Sequence, residues 1–246
     1  MNTQIRNPNI PNEDIEEIGF ALVGNNLNPM MLTYEFLTSS GIVPRDWELS
    51  KQPVTSQRMS QINFQNGLSI VAQPGTVNFV EGIAGKKVQD IKGANLVLEY
   101  VDKLPHAEYQ RLGINPKIIV PLSDTDPNAG KTFIVDVLLG SGSWKNFGQG
   151  PLQAGINLSY QLEQGVLNLS INEAKIQLPN KLTISSLLFS GNFNYELSSD
   201  DDQSKITLLK QQLNLWQENL TTFREIVKQK FLQQATSSQD SLFPSI

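Results

Sequence analysis

The chain contains no cysteine and a single histidine in 246 residues. Without thiols it can form no disulfide, thiolate metal site, iron–sulfur cluster or cysteine nucleophile, and one imidazole cannot build a multi-histidine metal centre. Charge is scarce as well: Asp, Glu, Lys and Arg make up 17% of the residues, with a net charge of −5, against roughly 25% charged residues in an average domain. The dense cationic field that phosphate backbones and anionic lipids require is missing, so neither nucleic acid nor a membrane surface is an expected partner. No apolar run approaches the ~20 residues of a membrane helix. Residues 1–17, with Pro8 and Pro11, lack the basic start and apolar stretch of a signal peptide. The composition leads us to expect a cytoplasmic protein with no metal and no organic cofactor. Asn, Gln and Ser replace the missing charges, which points to a neutral, amide-rich surface over a core that a chain of this length can readily fill.

Two stretches offset by about 98 residues share one pattern of elements. In the first, an apolar run at 18–23 leads through an Asn-rich loop to Pro29 and the helical spacing of Met31, Leu32, Phe36 and Leu37, ended by Gly41. Ile62 and Phe64 then alternate with polar residues, turn at Asn66-Gly67 and return through Leu68, Ile70 and Ala72 as a hairpin. In the second, a strand at 118–122 precedes a helix at 132–139. Leu152, Ala154, Ile156, Leu158, Tyr160 and Leu162 then alternate with polar residues, and a return strand begins after Gly165. Third strands follow, around Val77 and Phe79 and around Ala174, Ile176 and Leu178, with insertions at 182–189 and 193–197 in the second stretch only. Helices close both, at 95–104 and 204–233.

The predicted fold is therefore α+β: two similar halves of strand, helix, antiparallel sheet and helix, joined into one sheet with helices on one face and a long C-terminal helix. The predicted boundaries are a flexible arm at 1–17, halves at 18–104 and 105–235, and a flexible tail at 236–246. This order resembles the duplicated saddle of the TATA-box-binding protein in topology only. No DNA-contacting residue carries over, because the faces that would meet DNA hold Asn, Gln, Ser and Glu173 and no Lys/Arg stripe. The segment Leu104-Pro105-His106, followed by Leu112-Gly113-Ile114-Asn115-Pro116, resembles uncharacterised cyanobacterial conserved-hypothetical proteins. That resemblance extends over most of the chain and implies no activity.

Three features are candidates for function. The loop at 124–132 ends in Gly130-Lys131-Thr132 between a strand and a helix, as a phosphate-binding loop does, yet Thr125 stands where that motif has its second glycine. Its Asp124, Asp126 and Asn128 match the first three ligand positions of a calcium loop, while Ala129 and Val135 break the remainder. An Asx/Pro turn leading into a helix accounts for the same residues. Second, His106 lies two residues from Glu108, as a general base beside a carboxylate would; a residue capping the end of the preceding helix is the plainer account. Third, Ile206, Leu209, Leu213, Trp216, Leu220, Phe223 and Val227 form a seam spaced by threes and fours. The seam is core, or else an interface to another protein or a second copy.

The expected function is a non-catalytic protein-binding adaptor or assembly factor, possible as a homodimer. Its contact residues are predicted at Trp216 and Phe223 on the helix and at Leu242 and Phe243 in the tail. The alternative is a small-molecule or nucleotide-binding enzyme in which Asp124, Asp126, Asn128 and Lys131 hold the ligand.

Overall fold

The computed structural model describes residues 14–163, 165–199 and 201–233. The sheet has nine strands, all antiparallel: β1 (Ile15–Gly24), β2 (Val54–Thr55), β3 (Ser60–Asn63), β4 (Leu68–Gln73), β5 (Thr76–Gly82), β6 (Tyr109–Ser123), β7 (Ile156–Leu162), β8 (Gly165–Gln177) and β9 (Thr183–Glu196). Their spatial order is β2-β3-β4-β5-β1-β6-β9-β8-β7, so β1 and β6 lie side by side, with the four-strand meander β2–β5 outside β1 and the three-strand meander β7–β9 outside β6. The helices are α1 (Tyr34–Ser39), α2 (Gly93–Lys103), α3 (Ala129–Thr132), α4 (Asp202–Leu213) and α5 (Trp216–Glu225). π-helical turns at Phe133–Leu138 and Ile226–Leu232 extend α3 and α5.

Alternation decides which face is buried, because successive side chains of a strand point to opposite sides. One cross-strand row runs Tyr160, Leu167, Phe193, Ile114, Phe20, Phe79, Ile70 and Ile62. This row, apolar throughout, carries the helices. α2 meets it where a Cβ on Gly93 would lie 2.7 Å from the Phe20 ring, and α5 where Trp216 packs edge-on to Phe20 at 6.2 Å. Phe223 sits over Gly191 of β9, where a Cβ would come within 2.8 Å of its ring and 3.2 Å of Pro116, so the glycine leaves the notch that the phenyl fills. α3 lies on the same side, the Gly130 amide donating to Ser185 Oγ at 3.0 Å. Over the outer strands of the first half, residues 29–43 complete the layer, with the Ser60 hydroxyl donating to Leu32 O at 2.6 Å.

Two carboxylates tie helices to strands. Glu81 of β5, 2% exposed, accepts from the amides of Lys92 (2.8 Å) and Gly93 (2.7 Å) and from Lys86 Nζ (2.8 Å). It thereby satisfies the orphan donors at the start of α2, which has no side-chain cap of its own. Glu16 of β1, 7% exposed, accepts from Arg224 (2.9 Å to Nε) and Lys228 (2.9 Å) at the end of α5. Residues 15–17 thus belong to the central strand and not to an arm, a correction to the sequence reading: Glu16 finds cations on a helix more than 200 residues away in sequence, and Glu17 pairs with Lys117 of β6.

Two further expectations are corrected. The two inserted segments at 182–189 and 193–197 are the single strand β9, and the residues taken as a separate third strand, Ala174 and Ile176, continue β8. Gly191, between those segments, is in the sheet the flat spot under Phe223. The C-terminal helix is present and long, but Asn214 and Leu215 interrupt it between α4 and α5.

Candidate interaction surface

The heptad seam is interior. Ile206, Leu209, Leu213, Trp216, Leu220, Phe223 and Val227 are all between 0% and 8% exposed and face the sheet. Trp216 and Phe223, predicted as partner contacts, are core residues. A sheet half of whose surface is apolar offers a nearer partner than any second molecule, and each buried aromatic side chain contributes about 2–3 kcal/mol by leaving water. Beside them Asn219 donates to the Tyr195 hydroxyl at 2.7 Å. Burial raises the pKa of that phenol, partly offset by the Asn219 hydrogen bond. The other two predicted contacts, Leu242 and Phe243, lie outside the described residues.

The 124–132 loop closes on itself. Ser123 Oγ accepts from the amides of Thr125 (3.2 Å) and Asp126 (2.9 Å), Asp126 Oδ1 accepts from the Asn128 amide (2.9 Å), and the Thr132 amide donates to Asn128 O (2.8 Å). With the Gly130 amide on Ser185, the amides of Thr125, Asp126, Asn128, Gly130 and Thr132 are engaged within the fold rather than aimed at a phosphate. Gly130 itself answers to packing, since a Cβ there would lie 2.6 Å from Ser186 O. Of the four predicted ligand residues, Asp126 and Asn128 therefore form an Asx turn entering α3, Lys131 lies within that four-residue helix and Asp124 precedes the turn. No group of three or more His, Cys, Asp or Glu side chains able to hold a metal occurs among the described residues.

His106 is exposed on the rim of an apolar cleft of about 230 Å³, between Lys103 and a floor that includes Leu27, Phe36 and Tyr100. Its neighbour Glu108 turns away to accept from Asn25 (2.8 Å) and Asn26 (3.1 Å), so the imidazole and carboxylate do not form a pair. Burial pushes the Tyr100 phenol up to about 12.

Among the described residues two further surfaces stand open. The first is the sheet face away from the helices. Its central row runs Ser159, Asn168, Asn192, Asn115, Gly19, Val80, Ser69 and Asn63, with Asn192 Nδ2 donating to Asn115 Oδ1 at 2.6 Å. At its far end Asn63 Oδ1 accepts from Gln61 (3.1 Å) and Ser69 (2.9 Å), while its buried Nδ2 has no partner among the described residues. The cations of this face are paired, Lys117 with Glu17 at 2.7 Å and Arg111 with Glu196 at 3.9 Å. Glu173, expected on this face, lies instead on the helical side against Gly130.

The second surface is an aromatic knuckle that the sequence reading missed. After the π-helical turn Phe133–Leu138 the chain forms a short 3₁₀ turn, Ser143–Asn146. Lys145 Nζ holds this turn in place by donating to Val135 O and lying 3.6 Å from Asp136. Gly142 has no side chain where the Trp144 indole folds back, since a Cβ there would lie 2.2 Å from Nε1. The outcome is Trp144 at 48%, Phe147 at 90% and Val137 at 41% exposure on one short segment. The available signal was two aromatics among Gly140, Gly142, Gly148 and Gly150, with no apolar periodicity to assign them to a core.

No protein-family model matches the chain, and no curated protein matches it. Its functional reading accordingly rests on its own surfaces. No helix among the described residues is long and apolar enough to cross a membrane.

Proposed function

We propose that the protein is a non-catalytic adaptor that binds another protein through the Trp144–Phe147 knuckle, with the neutral sheet face as its second platform. The observation that carries this reading is the exposure of Phe147, 90%, next to Trp144 on a turn pinned by Lys145. An aromatic side chain held outward on an ordered turn loses little conformational freedom on binding and offers a large apolar area, the properties of contact residues that dominate protein interfaces. The paired cations and amide rows of the open face suit a polar, uncharged partner surface and disfavour a polyanion.

We also infer that the halves descend from one duplicated unit. In support, β1, β3, β4 and β5 take the same places relative to the centre of the sheet as β6, β7, β8 and β9, and a helix follows the last strand of each set.

The adaptor reading is tested by affinity capture from the native host, comparing the wild type with the double variant Trp144→Ala/Phe147→Ala and with a chain truncated after Ala235. A stoichiometric protein partner lost from the double variant, with its melting temperature unchanged, is the expected result. A partner retained by the double variant and lost on truncation would move the contact to the tail. Recovery of no partner by the wild type would overturn the reading.

A further inference from the structure

The sheet ends on β7, and no described strand pairs with its outer edge. Such an edge exposes a row of backbone donors and acceptors, and proteins normally blunt it with charge, proline, a bulge or brevity. The opposite edge is blunted by brevity: β2 has two residues. β7 has seven, Ile156-Asn157-Leu158-Ser159-Tyr160-Gln161-Leu162, with no charge and no proline, in unbroken register with β8. Its apolar positions stay half-buried, while Asn157, Ser159 and Gln161 are exposed.

The strand also reads nearly the same in both directions about Ser159. If a second β7 lies antiparallel with Ser159 opposite Ser159, then Leu158 meets Tyr160, Asn157 meets Gln161 and Ile156 meets Leu162. Every apolar residue then faces an apolar one on the helical side, and every amide faces an amide on the open side. No like charges are opposed, and the arrangement has the self-complementarity that a twofold interface demands.

We propose that β7 pairs antiparallel with β7 of a second copy of this chain, centred on Ser159, doubling the nine-stranded sheet across a twofold axis. Both helical layers then lie on one side and both open faces on the other, so the knuckle and the amide rows are presented twice. Pairing along seven residues makes a small interface, so self-association is in the micromolar rather than the nanomolar range.

The absence of native cysteine makes the register directly testable. Directly opposed residues of antiparallel strands have Cα atoms about 4.5–5.5 Å apart, within the range a disulfide spans. Under mild oxidation Ser159→Cys is expected to form a covalent dimer with itself. Asn157→Cys alone is expected to remain uncrosslinked, and to become linked when mixed with Gln161→Cys. In sedimentation the wild type is expected to show a concentration-dependent monomer–dimer equilibrium. Ser159→Lys, which opposes two like charges at an exposed position, is expected to weaken it about fivefold, and mixing Ser159→Lys with Ser159→Glu to restore it. A wild type that sediments as a monomer at every concentration would overturn the proposal. So would equal cross-linking of all three single-cysteine variants, or a dimer indifferent to Ser159→Lys.

Discussion

At one end of the sheet, residues 29–43 fold over the outer strands and leave Leu32, Leu37, Ile42 and Val43 at 2% exposure or less. At the other end Ile156, Leu158, Tyr160 and Leu162 of β7 are only half-buried. Counted outward from β1 and β6, the first three strands are connected alike, β5-β4-β3 and β9-β8-β7, and the first end adds only the two-residue β2. The difference lies in the connection after each central strand. The one after β1 is apolar and packs down on the sheet, whereas the one after β6 forms α3 and its π-helical turn and then projects Trp144 and Phe147. A scaffold with one strand order thus supports two kinds of end, one closed on itself and one equipped for contact.

The largest expected effect is where the last helix is seated on the second half. Phe223→Ala empties the notch over Gly191 and is expected to cost about 3–5 kcal/mol in urea unfolding. Gly191→Ala forces a methyl against the same ring from below and is expected to cost roughly 1–3 kcal/mol. Were either variant as stable as the wild type, the helix would not be seated on the second half as described.

The two ends are compared directly by the same truncation in each. Leu37→Ala in the closed end is expected to cost about 2–5 kcal/mol, and Leu158→Ala in β7 less than about 1.5 kcal/mol when measured on the monomer. Equal costs would mean that β7 is as well covered as the first half. The double variant Trp144→Ala/Phe147→Ala is expected to leave the melting temperature unchanged, because exposed side chains take little part in folding.

Proton linkage separates the ends further. Burial holds the Tyr100 phenol up to about 12, and that of Tyr109 is pushed up by burial and by the neighbouring Tyr100 and Asp102. Their neutral forms are favoured in the folded state. That contribution is fully present below the ordinary phenol value near 10 and is lost as the pH rises toward 12. Absorbance titration is expected to show these two phenols ionising late, with alkaline unfolding, while Tyr160 on β7 ionises earlier. The smallest effect is at the start of α4. Asp201 accepts from the Ser204 hydroxyl (2.7 Å) and amide (2.8 Å), and these hydrogen bonds hold its carboxyl below the ordinary value. The cap operates above the ordinary carboxylate range and is lost as the pH falls through the lowered value. Asp201→Ala is expected to lower stability slightly at neutral pH, where the charged cap operates, and to remove this acid-side dependence, the difference from wild type vanishing at low pH.

Alternation in Ile62–Phe64, Leu68–Ala72 and Ile156–Leu162 made the strands and the Asn66-Gly67 hairpin legible, because a period of two has no other reading in a half-buried chain. The spacing of the seven seam residues identified the buried face of the last helix just as directly, though not what buries it. Strand β9 was not legible as one element, since a glycine in a strand reads as a break until Phe223 is seen to need the space above it. The knuckle was not legible either: Trp144 and Phe147 carry no periodicity, and their exposure depends on Lys145 reaching a carbonyl ten residues away.

The sequence by itself determined the α+β class, the amide-rich open face and the apolar seam, because each is a property of side-chain order along a local element. Only the tertiary structure decided that Trp216 and Phe223 are core, that the 124–132 loop closes on itself, that Glu16 belongs to the central strand, and which aromatics reach solvent. Those outcomes depend on partners distant in the chain, whose contact is set by the competition among elements for one apolar sheet face.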